Sequence, residues 1–261
     1  MALVHTYSKP IVVTSANYAH NTRPIVVRVS AVTPTSFCVH LKNPSSLPPA
    51  PENVSYLVVE AGVWTIGGVK IEARSYSSTV TDYDGSWVGQ PQTYGQTYTN
   101  PVVLGQVMTE NDDWSVFWAQ GSTRSSAPSA TRLVTGKMVG EDSNAIRIAE
   151  TVGVIVIEAG HGTLAGVEFE ARVGANTVAG IDDAPPFFYT FTRAFTGVPT
   201  VAVVGLAGMR GANGGWAQTH GATPTTTTRM SLSVDEDQLM DAERSHIAEQ
   251  VAYVVFLTPG K

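Results

Sequence analysis

The chain has 261 residues, of which 43% are hydrophobic and 15% charged, with a formal net charge of −6. That length holds enough apolar material for one to three domains, and an acidic chain without a Lys/Arg cluster argues against nucleic acid as a partner. The lone Cys38 closes no internal disulfide, and no apolar run is long enough for membrane insertion.

Taken in chain order, the first segment supplies strands in PIVVRVSAVTPTSFCVHL (Pro24 to Leu41) and in ENVSYLVVEAG (Glu52 to Gly62). The Pro-rich PSSLPPAPEN lies between them. EAGVWTIGGVKIEAR (Glu60 to Arg74) follows, and EAGHGTLAGVEFEAR (Glu158 to Arg172) writes almost the same letters again. Gly62 and Gly160 are 98 residues apart (160 − 62), and the same step takes Pro101 to Pro199 and Trp118 to Trp216. AETVGVIVIEAG (Ala149 to Gly160) returns as AEQVAYVVF (Ala248 to Phe256), one residue out of step. Such self-similarity marks a duplicated structural unit.

Within a unit the periodicity is two. Val69, Ile71 and Ala73 face one way, and Lys70, Glu72 and Arg74 face the other. In the second copy Val167, Phe169 and Ala171 oppose Glu168, Glu170 and Arg172. This alternation predicts half-buried strands with one wet face. PVVLGQV, VGVIVIE, PTVAVVGL and VAYVVFL are short apolar runs bounded by turn residues, as in sandwich cores. Only DEDQLMDAERSHIAEQ (Asp235 to Gln250) is predicted to wind a helical turn or two. The expected fold is all-β: tandem antiparallel β-sandwich repeats of about 98 residues, the first abbreviated. The expected units are 1–62, 63–160 and 161–261.

Trp118 and Gln120 share one strand face, as do Trp216, Gln218 and His220. On a wet face, an aromatic plate beside an amide suits a sugar, which stacks its apolar side on the ring and offers hydroxyls to the amide. The alternative is architectural: each Trp plugs the end of its sandwich and each Gln caps a loop. Acidic loops occur at NDDW, GED, IDD and VDEDQ, where Ca²⁺ is the ion their oxygens suit; solvated loop charge is the competing reading, and no other cofactor is expected. Glu150 beside Arg147 and Glu249 beside His246 read as structural ion pairs. The six histidines have no metal or catalytic spacing, so the expectation is a non-enzyme.

A proline-led strand (NPVVLGQV, VPTVAVVGL), a Trp strand with an amide (FWAQ, GWAQ), a Thr/Arg strand (ATRLVTGKM, TTTRMSLSV) and a closing apolar strand together resemble H-type lectin domains. The resemblance implies a six-stranded antiparallel sandwich, often trimeric, that binds sugars at subunit clefts. Its sugar-contacting positions fall nearest to Trp118, Trp216, Arg132 and Arg229. The family's early Asp has a counterpart at Asp112 or Asp113, whereas the second copy carries Arg210 and Gly211 there. The expected function is therefore a multivalent, homo-oligomeric, glycan-binding adhesion protein. A virion tail or fibre component, or another surface assembly, is the rival, and a polysaccharide-active enzyme stands third. No basic, apolar leader follows Met1, so the compartment stays open between cell surface, extracellular space and virion.

Overall fold

Nineteen strands account for the ordered backbone in the computed structural model, which describes residues 1–258. They are β1 (Pro10–Tyr18), β2 (Val26–Thr33), β3 (Ser36–Lys42), β4 (Val54–Glu60), β5 (Gly62–Ile66), β6 (Val69–Ser78), β7 (Thr81–Asp82), β8 (Gln90–Gln92), β9 (Pro101–Val107) and β10 (Val116–Gln120). The series continues with β11 (Leu133–Met138), β12 (Glu150–Glu158), β13 (Gly160–Leu164), β14 (Val167–Val173), β15 (Phe187–Thr190), β16 (Val201–Leu206), β17 (Trp216–His220), β18 (Arg229–Asp235) and β19 (Val251–Leu257). They form small, mainly antiparallel sheets in a propeller-like arrangement.

The duplicated letters fold alike. Sheet β5-β6-β12-β9 and sheet β13-β14-β19-β16 have the same strand order. Each begins with a hairpin whose two loop residues have positive φ, Gly67 and Gly68 in one and Ala165 and Gly166 in the other. Such primed turns match the twist of the strands they join.

The first segment is not a separate body. Its β1 pairs antiparallel with β4 and parallel with β17, through Asn17 opposite Thr219 and Tyr18 opposite His220. Residues from both ends of the chain thus share the sheet β15-β18-β17-β1-β4. Elsewhere Ala119 bridges Ala207 in parallel, and Gln106 Nε2 donates to Val27 O at 3.1 Å. One apolar core gathers Ile11 and Val13 from β1, Val102 and Leu104 from β9, and Val203 from β16. Burying such aliphatic side chains stabilises by roughly 1.5–3 kcal/mol each, so the sheets hold one another as much as themselves.

Two expectations fail here. Residues 235–250 form strand end and irregular loop, with no helix; the one helical element among the described residues is the 3₁₀ turn Ile181–Asp183. Asp235, Glu236, Arg244, His246 and Glu249 are all buried; Arg244 pairs with Asp235 and His246 with Glu236 and Glu249 inside the loop, while Tyr18, Asp183 and Asn213 hold it from other segments, so the loop follows its side chains. Nor is the charged face of the duplicated hairpin wet at its centre. Glu72 and Glu170 are buried because a loop folds over each, Gly95 N donating to Glu72 at 2.7 Å and Thr192 N to Glu170 at 2.8 Å.

Candidate functional site

Both indoles expected on a wet face are inside. Trp118 is 0% and Trp216 8% exposed, and with Trp114, Met138 and Met209 they form one apolar cluster. Trp114 meets Trp216 edge to face at 5.9 Å. Room for Trp118 comes from Gly136, its opposite number on β11, where a Cβ would stand 3.0 Å from the indole Nε1. The aromatic-and-amide platform is thus corrected to packing.

The amides follow the indoles. Gln218 is buried, and its Nε2 donates to Asp235 Oδ2 at 3.2 Å. Gln120 and His220 are half-buried; His220 Nδ1 lies 3.1 Å from Ser233 Oγ, and burial lowers its pKa. Arg132 and Arg229 are exposed, with Arg229 lying 4.2 Å over the Phe188 ring. The 98-residue step breaks down at these strands. β10 and β17 share one burial sequence while starting 100 residues apart (216 − 116), which sets Trp118 against Gln218. FWAQ and GWAQ are matched letters in unmatched places.

The acidic loops serve the backbone and neighbouring cations. Asp113 pairs with Lys42 at 2.5 Å, Asp142 with Arg147 at 2.6 Å, and Asp112 accepts from Ile148 N at 2.7 Å. Asp183 accepts from Gly180 N and His246 N, and Asp237 from Glu141 N. Among the described residues no three His, Cys, Asp or Glu side chains converge to hold a metal ion. The expected Glu249–His246 pair is present at 3.0 Å. Glu150, however, faces Arg28 at 3.4 Å and not Arg147. Arg28 is fully buried, and it also donates to Ser115 O at 2.8 Å and Thr109 O at 3.2 Å. Nothing local in sequence announces a partner 122 residues away.

What the fold does build is a cleft of about 790 Å³ between the start of β9, the loop after β10, and β14. On one wall Glu170 is wholly buried, accepting from Tyr253 Oη at 2.5 Å and from Thr192 Oγ1 at 2.6 Å. His161 lies between Glu170 (3.2 Å) and Glu168 (3.4 Å), with its ring against Phe195. Arg172 and Arg193 line the same cleft and are exposed. Among the described residues neither guanidinium has a hydrogen-bond or ion-pair partner. Two free guanidiniums beside Asn100 form a set suited to a carboxylate or other anion, which Arg binds bidentately. In the sequence His161 has no metal or catalytic spacing, and Arg172 stands out only as part of a repeat. The two meet through the β13–β14 hairpin, while Asn100 and Arg193 come to the cleft from distant segments that no local pattern encodes.

A second opening, shallow and about 620 Å³, has exposed apolar groups around it: Tyr83, Val88 and Ile146, the last 91% exposed. No known protein family, curated protein or solved structure matches the chain.

Proposed function

We propose that the chain is a non-catalytic docking component of a larger assembly, built from tandem β-sandwich repeats of which the first is abbreviated. The observation that carries this reading is the exposed apolar group Tyr83, Val88 and Ile146 on a scaffold held together by buried ion pairs, His246 between Glu236 and Glu249 among them. Exposed apolar clusters on a well-packed domain mark protein contact surfaces. Rigid clamps such as Arg28 on Ser115, Thr109 and Glu150 suit a part that must hold its shape under contact.

The test is light scattering of the purified chain across the micromolar range, alone and with Ile146→Asp and Tyr83→Asp. Association that weakens in these variants supports the reading. A single 27.7 kDa species at every concentration counts against it.

A second reading keeps the carbohydrate and moves its place. In it the ligand is an acidic glycan, held in the cleft by Arg172 and Arg193, the two unpaired cations that favour this reading. A glycan array with wild type, Arg172→Ala and Arg193→Ala decides it. Acidic glycans bound by wild type and lost in both variants support it; an empty array removes it.

A further inference from the structure

The strand β4 has one partnered edge and one open edge. Asn17 N donates to Asn53 O and Ala61 N to Lys9 O, which fixes the odd-numbered residues 53 to 61 as those bonded to β1. The N–H and C=O groups of Val54, Tyr56 and Val58 therefore point away from β1. Among the described residues no backbone group meets them, and β4 ends its sheet.

The rest of the chain shows what such an edge takes. In the next sheet Val152, Val154 and Val156 of β12 pair with Tyr76, Arg74 and Glu72 of β6. In the last, Tyr253 and Val255 of β19 pair with Arg172 and Glu170 of β14. Each time an antiparallel strand occupies the edge that β4 leaves open.

Natural edges are guarded by charge, proline or bulges. This one is bare. From Val54 to Val59 there is no charged residue and no proline, and the β1–β4 register runs without a shift. The carboxylates at its two ends are turned inward: Glu60 accepts from Ser8 N and Lys9 N, and Glu52 from Ala19 N, His20 N and Asn21 N. Beside the edge runs a groove of about 330 Å³ lined by Phe37, Val39, Leu41, Val54 and Tyr56.

We propose that the occupant of this edge is the same edge of a second copy, giving a two-fold β1-β4-β4-β1 sheet. The order of the edge argues for self-pairing. Its outward residues read Val54, Tyr56, Val58, the same in both directions, so antiparallel pairing about Tyr56 sets Val54 against Val58 twice over. A two-fold contact requires such self-complementarity. The Tyr56 rings meet at the axis, each beside the groove of its own copy. This deepens the docking reading above by naming one surface and its partner.

Val58→Pro tests it, because the Val58 N–H is unused within one chain and proline fits an edge strand there. In sedimentation at rising concentration, the wild type is expected to reach twice 27.7 kDa, and Val58→Pro to stay at the single mass while still unfolding in one cooperative transition. Should Val58→Pro misfold, Cys38→Ser/Tyr56→Cys replaces it. Paired Tyr56 positions stand about 5.5 Å apart in such a ladder, within disulfide range, so rapid oxidation to a covalent dimer is expected. A wild type that remains monomeric, a dimer that Val58→Pro retains, or a Tyr56→Cys chain that does not cross-link overturns the proposal. Association that survives Val58→Pro but is lost in Ile146→Asp overturns this edge alone and leaves the docking reading standing.

Discussion

Arg244 holds Asp235 by two parallel bonds, Nε to Oδ1 at 2.8 Å and Nη2 to Oδ2 at 2.7 Å, with both side chains buried. The same guanidinium donates to Tyr18 Oη at 3.0 Å and to Thr22 O at 3.2 Å, so one side chain ties β18 to the first segment of the chain. Arg244→Met would leave Asp235 as a buried charge without its cation, a change that costs about 3–5 kcal/mol. Denaturant unfolding should show that loss. The double variant Arg244→Met/Asp235→Asn should recover part of it, since the stranded charge is then gone.

How much of this was legible in the letters depends on the range of each interaction. The alternating strands of the EAG…EAR stretches were legible because a period of two acts within a few positions, and β6 and β14 formed there. The all-β class followed from the same local patterns. The setting of Trp118 was not legible. Its strand face is decided by Gly136 opposite and by Trp114 and Trp216 in one cluster, and period-two reading cannot say which face is covered. For the same reason Glu72 and Glu170 looked wet: the loops that bury them lie 23 and 22 residues further on. The partners of Arg28 lie further still, as do Tyr18 and Thr22, which Arg244 reaches.

His246 gives a pH-dependent handle on the last sheets. Burial alone would lower its pKa, but Glu236 at 2.8 Å and Glu249 at 3.0 Å outweigh that and raise it to about 9 from 6.5. A folded-state value above the unfolded one means the stabilisation is complete below pH 6.5 and lost as pH rises through about 9. Shifts of this size correspond to roughly 3 kcal/mol. Unfolding free energy should fall across that window in the wild type, and the fall should flatten in His246→Gln.

The buried indole makes a prediction opposite to that of a sugar platform. Trp118→Ala should cost about 3–5 kcal/mol in unfolding free energy, the usual loss for a large core aromatic. Gly136→Ala should cost about 1–3 kcal/mol by overpacking against the ring. Trp118→Ala with wild-type stability would put the indole in water and restore it as a candidate ligand contact.

Glu170 and Arg172 are two residues apart on β14, with opposite duties. Glu170 accepts from Tyr253 Oη, Thr192 N and Thr192 Oγ1 while wholly buried. Glu170→Gln puts an amide where acceptors are needed, and losing hydrogen bonds to a buried charge should cost about 1.5–3 kcal/mol. Hydrogen exchange should quicken first around Thr192, where the loop loses its anchor. Arg172 points into the cleft, exposed and unpaired, so Arg172→Ala should change unfolding free energy by no more than about 0.5 kcal/mol. If Arg172→Ala proved as damaging as Glu170→Gln, the guanidinium would belong to the scaffold, and the cleft would lose one of the two cations on which the acidic-glycan reading depends.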